Sequence, residues 1–393
     1  TPVPPHILPT AAGAGTGAGS GAAGLRGGVT HFSWEVLCKA TKDFEKRLGG
    51  GGCGCVFQGI LSSGTRVAVK RLEVDPVVGL AGVVLLDQMQ TEVQVLSQVQ
   101  HPNIVQLLGS STDGAVPCLV YALMEGGSLQ DRLACSVGDV AHAALTSNER
   151  ILVLSDVARG LAFLHFEVQI IHRDVKSANV LLDRNLVGRI GDFGIAKSAT
   201  DHRGVAATHM QTQNVAGTQI YMSPEYKNGL LSTKVDAFAF GLVVLEALTG
   251  YDICKPVPGY SDLHSLYEEE LGSADKLLVH LDKRASWEVH LAERVAALFS
   301  IADRCLEPRR QRRPEIVSII NELEEVRRGA EAVASSACMT DRRECVVCME
   351  SDVAGWVMLR PCGHVCVCSL CCAGQSACPL CRQPFSESLP VFL

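Results

Sequence analysis

Five cysteines and a histidine crowd the twelve positions of "PCGHVCVCSLCC", residues 361–372. Thiols and imidazole at that density can cross-link, exchange electrons or hold a metal ion. Ten of the 17 cysteines lie from Cys338 onward, so the chemistry belongs to a local unit at the end of the 393-residue chain. The spacing reads Cys345-x2-Cys348, Cys362-x-His364, Cys368-x2-Cys371 and Cys378-x2-Cys381. Each C-x2-C puts two thiolates on one turn, where both can bind a single tetrahedral zinc ion. One such pair is ambiguous between zinc and redox chemistry. Three of them plus a Cys-x-His point to zinc, and eight ligands make two sites. Disulfides are the weaker reading in a chain with no signal-peptide pattern. A unit of about 45 residues buries too little apolar surface to fold alone. Metal must then supply much of its stability, on the order of 10–16 kcal/mol per site.

A second set of residues suits phosphate chemistry. "LGGGGCGCVFQG", residues 48–59, spaces Gly49, Gly51, Gly54 and Val56 so that a hairpin can bring backbone N–H groups against phosphate oxygens. Alone this is weak, because Gly-rich turns are common. Lys70 follows in "VAVK", and Glu92 shares the inward face of a helical stripe with Met89, Val93 and Leu96. A lone inward carboxylate is costly, so Glu92 needs a cation, and Lys70 is its natural partner. "IIHRDVKSANVLLD" carries Asp174, Lys176 and Asn179, and "IGDFGIAK" supplies Asp192. One carboxylate can orient a hydroxyl while a second carboxylate and an amide oxygen hold magnesium.

Together the Gly-rich loop, VAVK, HRDxKxxN and DFG resemble a protein kinase domain. The likeness continues through "YMSPE" (Glu225), "DAFAFG" (Asp236) and "RRP" (Arg313). It implies Asp174 as catalytic base and Lys176 as the group that steadies the transferred phosphoryl. Asn179 and Asp192 would hold magnesium, Lys70 paired with Glu92 would grip the ATP phosphates, and Glu225 with Arg313 would anchor the activation segment. Lys176 and Thr218 resemble the serine/threonine class. Arg173, beside the catalytic aspartate, implies a phosphorylated residue between 192 and 225, Thr212 first and Thr208 second. "HFSWEVLCKATKDFEKRLGGGGCGCVFQG" is similar to the lead-in of Pelle, interleukin-1-receptor-associated and plant receptor-like kinases. "CLVYALMEGGSLQDRL" extends that likeness, with Tyr121 as gatekeeper and Met124 in the ATP-binding hinge. Cys53 and Gly50 depart from the usual loop and make a looser one, and Ser223 replaces an alanine. Every catalytic position is filled, so an active kinase is expected; the alternative is an idle kinase fold that presents substrates.

The cysteine unit resembles a RING finger, closest to the C-terminal RINGs of inhibitor-of-apoptosis proteins, with "PCGH" and the short tail "LPVFL". The resemblance implies a cross-brace: Cys345, Cys348, Cys368 and Cys371 on one zinc, Cys362, His364, Cys378 and Cys381 on the other. Cys366 and Cys372 are then surplus. It also implies a ubiquitin-conjugating enzyme as partner, docking on Val347 and Pro379, with Arg382 as the bridging cation and the tail building a RING homodimer. A purely structural zinc module is the competing reading.

The elements that must position these groups follow from patterning. "TRVAVKRL" alternates as a strand, with Val67 and Val69 on one face. "TSNERILVLSDVARGLAFLHF" opens on a Thr146/Glu149 capping box and lines up Leu154, Val157, Leu161 and Leu164. Residues 232–250 are apolar nearly all round, as in a buried helix. Strands precede helices, so the expected fold class is α+β: a two-lobed kinase fold plus a small zinc-stabilised RING. The expected divisions are a Gly/Ala-rich disordered leader at 1–30, the kinase domain at 31–328, a flexible linker at 329–343 and the RING with its tail at 344–393. A net charge of −7 with pI near 6.0 gives no basic field for nucleic acid. No apolar run is long enough for a membrane span. The chain is expected to act on protein substrates in signalling, in the cytoplasm, or at a membrane if a segment precedes Thr1.

Overall fold

The computed structural model describes residues 29–51, 54–72, 81–137, 140–141, 143–199, 210–211, 216–271, 274–287, 292–338, 345–348, 355–360, 365–379 and 384–391. Among these, the first lobe is a six-stranded sheet ordered β1-β5-β6-β4-β3-β2. Its strands are β1 (Thr30–His31), β2 (Arg47–Gly51), β3 (Gly54–Ile60), β4 (Arg66–Arg71), β5 (Leu107–Ser111) and β6 (Cys118–Ala122). The alternation in β4 is observed: Val67 and Val69 are fully buried in a small outer cluster with Leu37, Cys118 and Val120. Ala68 packs on the opposite side, against the main core.

Two helices bracket the sheet. α1 (Trp34–Thr41), which patterning did not anticipate, is capped by the Ser33 hydroxyl. It ends in three consecutive left-handed residues, Lys42, Asp43 and Phe44, with φ of 50°, 55° and 61°. Each such residue costs roughly 1–2 kcal/mol. The turn sets the Phe44 ring 5.2 Å from Trp34 and 5.3 Å from Phe57, with the Arg71 guanidinium 4.6 Å from its centroid. Thr41 Oγ1 accepts the Phe44 N–H at 3.0 Å. This is what the "ATKDF" signature does physically: it pins α1 onto the hairpin that carries the Gly-rich loop. α2 (Ala81–Leu96) buries Met89, Glu92 and Leu96, as its stripe predicts.

The second lobe is helical, with α3 (Leu129–Leu133), α4 (Ser147–Phe163), α5 (Pro224–Lys227), α6 (Lys234–Thr249), α7 (Leu263–Glu269), α8 (Ala274–Leu277), α9 (Ala292–Cys305) and α10 (Ile316–Cys338). The Thr146/Glu149 capping box opens α4, and a π-helical turn over Leu164–Val168 follows it. α6 is buried along Val235–Thr249. It approaches α9 so closely that a Cβ at Gly241 would lie 2.8 Å from Cys305 Cβ. Short strands at Val180–Leu182 and Gly188–Ile190 pair antiparallel.

In the C-terminal unit, strand Trp356–Arg360 is central, paired antiparallel with Val365–Cys368 on one side and Glu387–Val391 on the other. A short helix, Ser369–Cys372, follows the second strand. One expectation changes. α10 runs ten residues beyond Arg328, so 329–338 are helical rather than flexible; alanines at 330, 332, 334 and 337 favour helix although the segment is small and polar. The tail is, through Val391, an edge strand of its own RING sheet. Most of the leader (1–28) and residues 339–344 lie outside the described residues.

Candidate active site and metal centre

Lys70 is held on β4 directly opposite Val56 of β3, close to the Gly51–Gly54 pair of β2 and β3. Gly54 has φ of 126°, a conformation that glycine alone adopts without strain. Gly49 pairs with Val56 across the same hairpin. The ammonium lies 3.2 Å from Glu92 Oε2 and 2.8 Å from Asp192 Oδ1. Glu92, 2% exposed, also accepts the Phe193 N–H at 3.3 Å. The inward carboxylate of α2 therefore has the partner that its position demands. Burial works against the charge on Asp192, but Lys70 prevails and holds its carboxyl below the usual range. On β6, opposite Ala68 of β4, the Tyr121 hydroxyl is buried with no hydrogen-bond partner among the described residues. Burial first, then the Glu92 charge, pushes its pKa well above normal. Met124 follows β6 at the start of the connection between lobes and packs on the main core.

Across the cleft, Asp174 gathers four side-chain and backbone donors. Oδ1 accepts the Thr218 N–H at 2.9 Å and its hydroxyl at 2.8 Å; Oδ2 accepts Lys176 Nζ at 2.6 Å and Asn179 Nδ2 at 3.0 Å. Lys176 also reaches Thr218 Oγ1 at 2.9 Å. Burial opposes ionisation of Asp174, but Lys176 and Thr218 outweigh it and lower its pKa, so the group is a carboxylate at neutral pH. Asn179 donates its amide to Asp174, leaving its amide oxygen as the atom able to face a cation alongside Asp192.

The loop that carries Asp174 is fastened from below. Asp236, 1% exposed on α6, accepts the backbone N–H of His172 and of Arg173, each at 2.8 Å, and contacts His165 Nε2 at 2.8 Å. The motif was legible in the sequence, but this threefold tie was not. Arg173, at φ 74°, donates to the Tyr226 hydroxyl at 2.7 Å and to Ile195 O at 2.9 Å. Thr208 and Thr212, the expected phosphorylation sites, lie outside the described residues. Arg313 grips Glu225 with two bonds of 2.6 and 2.8 Å while only 2% exposed.

In the C-terminal unit, Cys345, Cys348, Cys368 and Cys371 bring their sulfur atoms within 4.8 Å of one another. Backbone N–H groups donate onto two of the sulfurs, from Cys368 to Cys345 at 3.3 Å and from Cys371 to Cys368 at 3.4 Å. That is how thiolates awaiting a cation are stabilised. Burial raises the pKa of the Cys345 thiol, yet N–H groups of Cys348, Cys368 and Val347 bring it down to about 6, while the contact with Cys368 pushes the neighbouring Cys371 thiol up to about 12. The donor set and its spread fit a zinc ion. Cys378 is buried in the same small core as Cys345, Cys368 and Cys372. Cys362, His364, Cys381 and Arg382 lie outside the described residues. Val347 is exposed and Pro379 half-buried.

The protein kinase domain family matches residues 43–323, and the chain belongs to that family. A zinc finger of the C3HC4, or RING, type matches residues 341–388. Interleukin-1 receptor-associated kinase 1 of Bos taurus is 34% identical over 344 residues, which cover 78% of this chain and 46% of the relative. The probable serine/threonine-protein kinase PBL28 of Arabidopsis thaliana is 32% identical over 308 residues, covering 76% of this chain and 79% of the relative. Receptor-like kinase TMK4, also of Arabidopsis thaliana, is 34% identical over 306 residues, 76% of this chain and 32% of the relative. The chain thus spans about half of the first relative and a third of the last. No helix among the described residues is long and apolar enough to cross a membrane.

Proposed function

We propose that this chain is an active ATP-dependent serine/threonine protein kinase whose RING finger works as a ubiquitin-protein ligase in signalling. The observation that carries the kinase reading is the assembled cleft, with Lys70 between Glu92 and Asp192 and Asp174 among Lys176, Thr218 and Asn179. Lys70 would leave Asp192 to meet the ATP phosphates while Glu92 keeps its ammonium in place. Magnesium, when bound, would neutralise charge on the phosphates, with Asp192 and Asn179 as its holders. Asp174 would orient the serine or threonine hydroxyl and accept its proton, and Lys176 would steady the phosphoryl group as charge shifts onto it. Positioning and fixed charge of this kind account for most phosphoryl-transfer catalysis. Gly49, Gly51, Gly54, Val56 and Met124 would line the nucleotide site. Phosphate on Thr212 or Thr208 would bind near Arg173 and order the activation segment.

For the RING, the four-cysteine cluster supports a first zinc site, and Cys362, His364, Cys378 and Cys381 make the second in this reading. The exposed Val347 beside the cluster, with Pro379, would receive the conjugating enzyme, and Arg382 would bridge it to ubiquitin. Glu387–Val391 is an edge strand, and a RING homodimer would form across it. One assay tests both halves: the purified chain with labelled ATP and a serine peptide, and in parallel with ubiquitin, activating enzyme and a panel of conjugating enzymes. Phosphopeptide and ubiquitin chains are expected. No phosphopeptide leaves an idle kinase fold, and no ubiquitin chains leave a structural zinc module.

A further inference from the structure

Four successive glycines, residues 49–52, lie in the Gly-rich loop. Glycine leaves the backbone its widest freedom, so nothing within that run sets where the loop rests over a nucleotide. Its position must come from the base of the β2–β3 hairpin. There the chain adopts an unfavourable turn. Lys42, Asp43 and Phe44 are all left-handed, and φ of 61° is strained for a side chain as bulky as Phe44. Strain kept in a fold points to a role for the group it places. That group is one aromatic ring. β2 begins three residues after Phe44, and Lys46 O already accepts the Gln58 N–H of β3 at 2.9 Å. The Phe44 ring meets Phe57 of β3 edge-on at 5.3 Å and lies 5.2 Å from Trp34 of α1. The Arg71 guanidinium of β4 lies 4.6 Å from the Phe44 ring and 5.5 Å from Phe57, so one cation covers both. α1 sits so close to β3 that a Cβ at Gly59 would lie 3.3 Å from Ala40 O. Arg71 follows Lys70, so the two side chains leave opposite faces of β4. A partly buried ring thus joins α1, the hairpin and the strand that carries Lys70.

We propose that Phe44, clamped between Phe57 and Arg71, is a positioning residue for nucleotide: it fixes the base of the hairpin so that the glycine run comes to rest over the ATP phosphates. The inference rests on the kinase reading above. Phe44 and Arg71 lie on the face of the sheet opposite Lys70, with Val67 and Val69, so neither touches the nucleotide. Their effect passes through the hairpin. A hairpin already fixed at its base loses less freedom when nucleotide arrives, and the difference appears as affinity. Asp174 and Lys176 belong to the other lobe, so the chemical step at saturating ATP does not depend on the clamp.

The test uses the full chain with Phe44→Leu, which keeps an apolar side chain without the ring, and Arg71→Met, which keeps the stem without the charge. Val120→Ala is the control, because it thins the same outer cluster from β6, which carries no part of the clamp. In Phe44→Leu the KM for ATP, and the Kd for ATP from titration calorimetry, should rise roughly five- to twenty-fold, with kcat at saturating ATP within about two-fold of the parent. Arg71→Met should raise both constants less. The double variant should fall short of the product of the two effects, because both act on one ring. Hydrogen exchange, which needs no activity, should speed up in β2 and β3 of Phe44→Leu, and Val120→Ala should keep the parent's ATP affinity. An ATP affinity unchanged in Phe44→Leu and Arg71→Met, or weakened as much by Val120→Ala, overturns the proposal. So does a kcat that falls while KM for ATP stays put. If the parent binds no ATP, the kinase reading has failed; the clamp is then judged by exchange alone, and unchanged exchange in β2 and β3 overturns it.

Discussion

The kinase cleft and the RING solve the problem of gathering charged and reactive groups in opposite ways. In the kinase lobes a large core comes first, and the polar groups are neutralised by one another: Lys70 by two carboxylates, Arg313 by Glu225, Asp236 by two backbone amides and His165. In the RING, four of the eight buried core residues described are cysteines, among them Cys345 and Cys368 of the cluster. The residues that fill its interior are partly the residues that would bind metal. A site built on a pre-formed core can lose one chemical group and keep its shape. A site whose ligands are the core cannot.

The largest expected effect follows from that difference. Cys345→Ser removes one cluster thiolate, and the RING should unfold locally because the missing metal energy is on the order of 10–16 kcal/mol. Near-ultraviolet dichroism of Trp356 and zinc content should both drop while phosphoryl transfer persists. Loss of kinase activity in step would break the comparison. Next, Asp174→Ala or Asp192→Asn should cut phosphoryl transfer by at least about a thousand-fold, with melting temperature and zinc content near those of the parent. Unchanged autophosphorylation in both variants contradicts the roles given to these residues.

A third variant asks how far mutual neutralisation carries the kinase side. Arg313→Ala strips Glu225 of both its bonds and leaves a largely desolvated carboxylate, its side chain 11% exposed, so unfolding should become easier by about 3–5 kcal/mol. Denaturant titration checks this, and a loss under about 1 kcal/mol would place the strength of the lobe in its apolar core alone. The smallest effect concerns pH. Burial in α6 pushes the Glu246 carboxyl up to about 7 in the fold, against about 4.5 when unfolded, so it binds its proton more tightly in the native state. Native stability should therefore be unaffected by this group below pH 4.5, fall as pH rises from about 4.5 to 7, and level off above, relative to Glu246→Gln. Parallel pH–melting curves for parent and variant would remove Glu246 as the source.

What could be read from the sequence depended on how tightly chemistry restricts residue type. Asp174, Lys176, Asn179 and Asp192 had no substitutes for their proposed tasks, and each stands in the cleft. Glu92 was legible because a carboxylate on an apolar stripe needs a partner, and the same logic applies to Glu246 of α6, 1% exposed. The helix around it reads as core, and the Ser177 and Tyr221 hydroxyls that bind it, at 3.0 and 2.7 Å, come from distant segments with no periodic signal. α1 was missed because eight residues ending in left-handed turns give little periodicity. The 329–338 helix was missed because small, polar composition suits both a linker and an alanine-rich helix. The tail reads as an apolar end either way, and only the register of Glu387–Val391 against Trp356–Arg360 shows where it pairs.

The central claim, two activities with independent structural bases in one chain, has one direct measurement. The purified chain is given ATP, magnesium, a serine peptide and the ubiquitin cascade, with and without a zinc-selective chelator that spares magnesium. The account predicts that phosphopeptide forms at the same rate in both samples while ubiquitin chains vanish with the chelator. Phosphopeptide formation that collapses when zinc is withdrawn, or ubiquitin chains that survive it, would contradict the account.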